Sequence, residues 1–309
     1  MKIAAVSGIK NEADIIESFV RHNAKFIDDF YFVDDSSDGT GKILELLAAE
    51  GFNIYKLTPD TRDYSQTKVN TAVTHFINKD GKYDWIFYLD GDEILYSPNK
   101  KVFLDGINKA PNMMVGNVRA LDFTPNGRNY FESKNPLKDC FVQVRERNPV
   151  QKIFIRGSIS NQVIILPGQH GATNLNGNVW PSFESDVALA HFPRRSPEQF
   201  STRVILGYSN LVAKRDKIAN EGSHVYEQFR ELKKNEFSDN PDAYKTLENN
   251  PPIYLEDIIL KYLEYAQKNP VKELALELER VAKLLHEFRT KSHQAIEHAE
   301  GILKMKDLF

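Results

Sequence analysis

Two hydrophobic periods take turns along the first third of the chain, and this alternation restricts the fold more than any other feature. Residues 3–6 form a short apolar run that reads as a buried strand. Residues 13–26 then place Ile15, Ile16, Phe19 and Val20 on one helical stripe. A second strand is predicted over 30–33, and it ends in the turn cluster Asp34-Asp35-Ser36-Ser37-Asp38-Gly39-Thr40. A helix over 42–49 follows, with Gly51 placed to close it. A strand over 52–57, a helix over 65–78 and a strand over 85–89 complete the series. Strands that alternate with helices pair in parallel and carry the helices on both faces. The expected fold is therefore an α/β domain with a mainly parallel sheet flanked by helices. Ligands of such sheets bind beyond the carboxyl ends of the strands, where both acidic clusters, residues 34–38 and 90–93, fall.

Beyond residue 108 the pattern changes. Turn residues such as Pro111, Pro125-Asn126-Gly127 and Pro167-Gly168 separate short β-like runs at 113–118, 140–144, 152–155 and 162–166. These are expected to complete the same domain and, if the chain is an enzyme of this plan, to shape its specificity. From Pro197 the chain reads as all-α. Val271, Leu274, Leu278, Val281, Leu285 and Phe288 keep a three-four spacing. That seam suits either a helix packed back on 254–267 or a homodimer through the C-terminal helices. The expected division is a catalytic domain over 1–195 and a helical region over 196–309.

Charge excludes some classes. The 40 basic and 43 acidic residues leave a net charge of -3, without the basic excess of a nucleic-acid binder. Cys140 is the single cysteine, so neither an internal disulfide nor a cysteine-based zinc site is available. A reduced, cytoplasmic setting is expected. No run approaches the ~18 apolar residues of a spanning helix, so membrane contact would be peripheral, at the inner face. A Walker-type glycine-rich run is missing, which argues against a kinase.

The chemistry concentrates at Asp90-Gly91-Asp92, delivered by the apolar run Trp85-Ile86-Phe87-Tyr88-Leu89. Mg2+ and Mn2+ take one or two carboxylates together with phosphate oxygens. Gly91 lets the backbone turn and a diphosphate approach. In the second cluster, acidic side chains can accept from a nucleobase or ribose. Ser37, Asp38 and Thr40 also suit turns and helix caps.

The segments Lys10-Asn11-Glu12-Ala13-Asp14, Asp34 to Thr40 and Tyr88-Leu89-Asp90-Gly91-Asp92-Glu93, in this order, resemble family 2 glycosyltransferases of the GT-A fold. More narrowly they resemble a bacterial family 2-like group related to family 92. His191-Phe192-Pro193-Arg194-Arg195-Ser196 resembles that group's later His-aromatic-x-x-Arg-Ser segment. The resemblance covers roughly residues 1–205. It implies that Lys10, Asn11 and Glu12, with Asp34 and Asp35, hold the nucleoside. It places Asp90 near ribose or metal, Asp92 on the metal, and His191 on the metal or diphosphate. His191 is otherwise a hydrogen-bonded core histidine. Arg194 and Arg195 would face the leaving diphosphate or stand at a solvated helix start. Gln66, Lys68 or Asn70, opening a helix, would touch the nucleotide or the surface.

The implied reaction moves a sugar from a nucleoside diphosphate, UDP by default, to a hydroxyl of a glycan or lipid-linked saccharide. It is Mn2+- or Mg2+-dependent and inverting. The family's adjacent Glu-Asp pair does not occur between Asp92 and His191. Glu184 and Asp186 lead as candidate bases, with Asp122 and His170 behind them. A sugar nucleotidyltransferase and a catalytically inactive GT-A-like binding module are the alternatives. The former would normally show a glycine-rich, basic loop after strand one, where this chain has Ser7-Gly8-Ile9-Lys10-Asn11-Glu12.

Overall fold

The computed structural model describes residues 1–58, 65–125, 141–213, 229–230, 258–267, 272–280, 283, 286–287 and 289–294. Cys140 lies outside them, as does most of the heptad seam. Compact unit one holds residues 1–200 and the described segment 258–267, and the rest of the described chain belongs to a second unit.

In unit one, β1 (Ile3–Ile9), α1 (Ile16–Asn23), β2 (Asp29–Asp34), α2 (Thr40–Ala49), β3 (Ile54–Leu57), α3 (Gln66–Ile77) and β4 (Trp85–Tyr88) follow the predicted series. The chain continues with β5 (Glu93–Tyr96), α4 (Lys100–Ile107), β6 (Val115–Pro125), β7 (Phe141–Arg156), β8 (Val163–Ile165), β9 (Ala172–Asn174) and β10 (Ser182–His191). Helix α5 (Pro197–Ala213) follows.

Eight strands form one sheet in the order β3-β2-β1-β4-β7-β6-β10-β5. β1 pairs in parallel with β2 and β4, and β2 with β3. β7 runs against both β4 and β6, so β6 and its parallel neighbour β10 point the same way as β1. β5 runs against β10. The expected mainly parallel sheet flanked by helices is therefore present, and the chain continues into further helix after it. Residues 141–144 and 152–155, read as parts of two separate runs, belong to one long strand, β7.

Period-two alternation sends the two sets of strand side chains into separate cores. Phe30, Phe32, Phe87 and Phe154 join Phe19, Phe26 and Phe103 on one face. Tyr31, Val33, Ile86, Tyr88, Ile153 and Ile155 pack on the other. Each such large side chain contributes about 1.5–3 kcal/mol on burial. Phe87 stacks on Phe154 at 4.6 Å between ring centroids, tying β4 to β7.

In unit two, helical residues 272–280 bury Glu273 and Glu277, while Leu278 is 53% exposed.

Candidate active site

Six strands deliver their carboxyl ends to one edge of the sheet. That edge gathers residues far apart in sequence: Lys10 to Asp14 after β1, Asp34 to Thr40 after β2, Asp90 to Glu93 after β4, Asp122 on β6 and His191 on β10. His191 is in register with both Asp122 and Glu93.

The β1 and β2 loops are interlocked. Asn11 adopts a left-handed conformation (φ 57°). Its amide donates to Ser36 Oγ at 2.8 Å, and its side-chain oxygen accepts from the Ser37 amide at 2.7 Å. Glu12 N–H donates to Thr40 Oγ1 at 2.9 Å. Asp34 accepts from the Ser36 amide at 3.0 Å, and Asp38 accepts from the Thr40 amide at 2.9 Å. Asp38 thus closes the turn that leads into α2, while Thr40, the first residue of that helix, ties the turn to the β1 loop; Gly39 begins α2 without a side-chain cap bond. Lys10 Nζ pairs with Asp35 at 3.1 Å, both side chains about a third exposed or less.

Gly91 explains how this loop reaches the second cluster. A Cβ there would stand 3.0 Å from both Ile9 and Glu12 side chains. The small residue lets the Asp90–Asp92 turn pass close to the end of β1 and the loop after it.

Around Asp92 the charges are buried. Its carboxylate lies 3.7 Å from His191 Nε2 and 3.5 Å from Arg195 Nη1. His191 Nδ1 bonds Asp122 at 2.7 Å. Burial pulls the His191 pKa down, but Asp92 and Asp122 outweigh it and hold it above the usual value. Arg195 is buried and grips Asp14 at 2.8 and 3.1 Å, with Glu12 as a further partner. Despite its burial these carboxylates hold its proton more tightly than usual. The expectation that Arg195 faces the diphosphate is corrected here. Its donors go to Asp14, Glu12 and the Phe192 carbonyl, so it clamps the β1 loop to the end of β10. Arg194 is half-buried, with its guanidinium 4.6 Å from the Phe200 ring centroid.

Two further expectations change. Glu184 and Asp186 sit in the first half of β10, at the bulge between Glu184 and Ala188, and away from the carboxyl end that carries His191. Asp186 pairs there with Lys109 at 2.6 Å. The strand had gone unrecognised because its second half, Ala188-Leu189-Ala190, is poor in β-branched residues. Gln66 accepts from the Gly168 amide at 2.8 Å, joining α3 to the 167–169 turn, and Lys68 is exposed on α3. His170 is exposed and bonds the Gln151 carbonyl through Nδ1 at 2.9 Å. Asn70 is buried, so of the helix-opening residues it does not offer a surface contact.

The residues that sequence reasoning missed are Lys152 and Glu93. Lys152 Nζ is 2.6 Å from Asp90 Oδ2 and 3.7 Å from Glu93. The signal was present: a lysine heading the run Lys152-Ile153-Phe154-Ile155 in an otherwise apolar strand. Burial lowers the Lys152 pKa, yet Asp90 and Glu93 outweigh it and hold it above the usual lysine range. Glu93 is pushed by burial up to about 7, against the pull of Lys152.

Asp92 Oδ2 and His191 Nε2 are close enough to share one cation, and Asp122 orients the imidazole from its far side. Among the described residues no group of three or more His, Cys, Asp or Glu side chains converges as a self-sufficient metal cage. Two protein donors fit an ion whose remaining ligands are phosphate oxygens and water.

No family model matches the sequence, and no curated protein matches it. Among solved structures, Staphylococcus aureus TarS residues 1–349 in complex with UDP is 17% identical, with a TM-score of 0.38, over 78% of this chain and 73% of that one. The chain spans 45% of the longer TarS structure. Mannosyltransferase PcManGT from Pyrobaculum calidifontis, in complex with GDP-Man and Mn2+, is 12% identical, with a TM-score of 0.40, over 94% of this chain and 80% of that one. Glucosyl-3-phosphoglycerate synthase from Mycobacterium tuberculosis, with Mn2+, UDP and glucosyl-3-phosphoglycerate, is 14% identical, with a TM-score of 0.35, over 67% and 77%.

Proposed function

We propose that this chain is a glycosyltransferase that uses a nucleoside-diphosphate sugar, UDP-linked by default, and a divalent metal. The observation that carries this reading is Asp92 beside His191 at the carboxyl edge of the sheet, with Asp122 bonded to the far nitrogen of the imidazole. The sequence resemblance supports the same reading.

A divalent cation at Asp92 and His191 would neutralise the diphosphate as it leaves. Asp35, paired with half-exposed Lys10, is placed to accept from the nucleoside. Arg195 keeps the β1 loop and the end of β10 in one arrangement, so the nucleoside and metal ends of the site stay in fixed relation. Of the three carboxylates named as bases, only Asp122 stands at this edge. One of its oxygens serves His191, and the other is our candidate for the acceptor's proton. The acceptor proposed is a glycan or lipid-linked saccharide hydroxyl. Among the described residues no helix is long and apolar enough to cross a membrane, so membrane contact on this reading is peripheral.

Calorimetric titration of UDP, GDP, CMP and dTDP, with and without Mn2+, tests the proposal. Metal-enhanced binding of one nucleotide, lost in Asp92→Ala, is the expected result and names the donor class. Failure of every nucleotide to bind with metal present overturns it. Release of pyrophosphate from a nucleoside triphosphate and sugar phosphate would instead identify a nucleotidyltransferase.

A further inference from the structure

Lys152 occupies the place in the sheet least hospitable to a charge. β7 lies between β4 and β6, and Lys152 is in register with Val118. By strand alternation it shares a face with Phe154, which stacks on Phe87. Lys152 is 3% exposed. An ammonium buried this way is stable only with close partners that satisfy its protons.

Its partners converge from three elements. Asp90, after β4, accepts at 2.6 Å, and Gln169 Oε1, from the turn before β9, accepts at 2.9 Å. Glu93, heading β5, stands at 3.7 Å. Gln169 is itself fully buried and left-handed (φ 63°), a conformation unfavourable for a non-glycine residue. Its side-chain Nε2 is buried and has no hydrogen-bond partner among the described residues. A buried amide donor without a partner is costly, and a ligand that accepts from it removes that cost. Asp90 is different: its side chain is 40% exposed, and only Oδ2 is taken by the lysine.

We propose that Lys152 is a positioning residue of the donor site: it takes one oxygen of Asp90, withholds that carboxylate from the divalent ion, and leaves the other oxygen to accept from ribose or sugar hydroxyls. Gln169 holds the same lysine from the turn before β9 and fixes the ammonium in place. The cation and the hydroxyls are thereby served by different carboxylates, Asp92 and Asp90. This inference rests on the donor-site reading given under Proposed function.

The test uses Mn2+ alone first, followed by its electron paramagnetic resonance signal, and then UDP in saturating Mn2+. Lys152→Met frees Asp90 and removes a positive charge, so Mn2+ alone should bind about tenfold more tightly, while UDP binds about tenfold more weakly. In an Asp90→Asn background the same substitution should tighten Mn2+ by no more than about threefold, because the carboxylate it would free is gone. Lys152→Arg, which keeps the charge on Asp90, should hold Mn2+ affinity within about threefold of the starting protein.

A lysine with a merely structural role would instead lower the melting temperature and weaken Mn2+ and UDP together. Unchanged or weaker Mn2+ binding in Lys152→Met, or equal tightening with and without Asp90, overturns the inference. Should Lys152→Met not fold, the single variants decide. Asp90→Asn is expected to leave Mn2+ alone within about threefold, while Asp92→Asn weakens it more than tenfold. Equal losses in the two overturn the inference. A chain in which no nucleoside diphosphate binds with metal fails the donor reading itself, whatever the Mn2+ pattern shows.

Discussion

The acidic segments after β2 and β4 have similar compositions and are built in opposite ways. In residues 34–38 the carboxylates mostly accept from nearby amides. Asp34 holds Ser36, and Asp38 holds Thr40 and Ala13. Asp35 faces a cation, the partly exposed Lys10. In residues 90–93 the partners are buried cations from distant strands: Lys152 on Asp90 and Glu93, and Arg195 with His191 on Asp92. A carboxylate that accepts from amides of its own turn and of the adjoining β1 loop asks little of the more distant strands. A buried carboxylate facing a buried cation exists only when the whole sheet is assembled, and loss of either partner leaves an uncompensated charge.

The largest effect expected from this contrast is at Arg195. Arg195→Met leaves Glu12, Asp14 and Asp92 without their guanidinium and should cost about 3–5 kcal/mol of stability by denaturant unfolding. A loss below about 1 kcal/mol would erase the distinction between the two segments.

Acid should act on the buried side next. His22 donates through Nε2 to the Leu95 carbonyl at 2.7 Å and so pins β5, the strand that begins with Glu93. Burial lowers its pKa to about 4, against its bond to Leu95. Between an unfolded value near 6.5 and this folded value, the unfolded chain binds the proton and the folded one does not. Stability therefore falls as pH drops through that window, by about 3 kcal/mol at its lower end. His22→Gln should flatten this part of the stability–pH curve. An unchanged slope would mean that the imidazole is not the group responsible.

The local side should respond more weakly. Asp38→Ala removes the acceptor at the start of α2 and should cost about 1 kcal/mol, read from the same unfolding curves. Smallest is Lys10→Met, whose half-exposed pair with Asp35 is worth about 0.2–1 kcal/mol. Its effect should instead appear in nucleotide binding. A stability loss at Lys10 as large as that at Arg195 would show that the two segments are built alike.

Much of the frame was legible before any coordinates. The strand–helix alternation of the first third places β1 to β4 and their helices within a few residues, because buried apolar periodicity is a local property. Asp90, Asp92 and His191 were legible as polar residues ending apolar runs. β10 was not, since alanine-rich strands carry little local preference and are held by their neighbours. The sequence therefore ranks Glu184 and Asp186 ahead of Asp122, although Asp122 is the one in register with His191 at the carboxyl end of β10.

By itself, then, the sequence determined a parallel α/β sheet and the residues that end its strands. Only the tertiary structure decided which charges meet. Burial makes an unpaired charge costly, so the long-range pairing of β7 and β10 hands Lys152 to Asp90, Arg195 to Asp14 and Glu12, and Asp122 to His191. No local pattern encodes those partnerships, because each joins residues brought together by strand order alone.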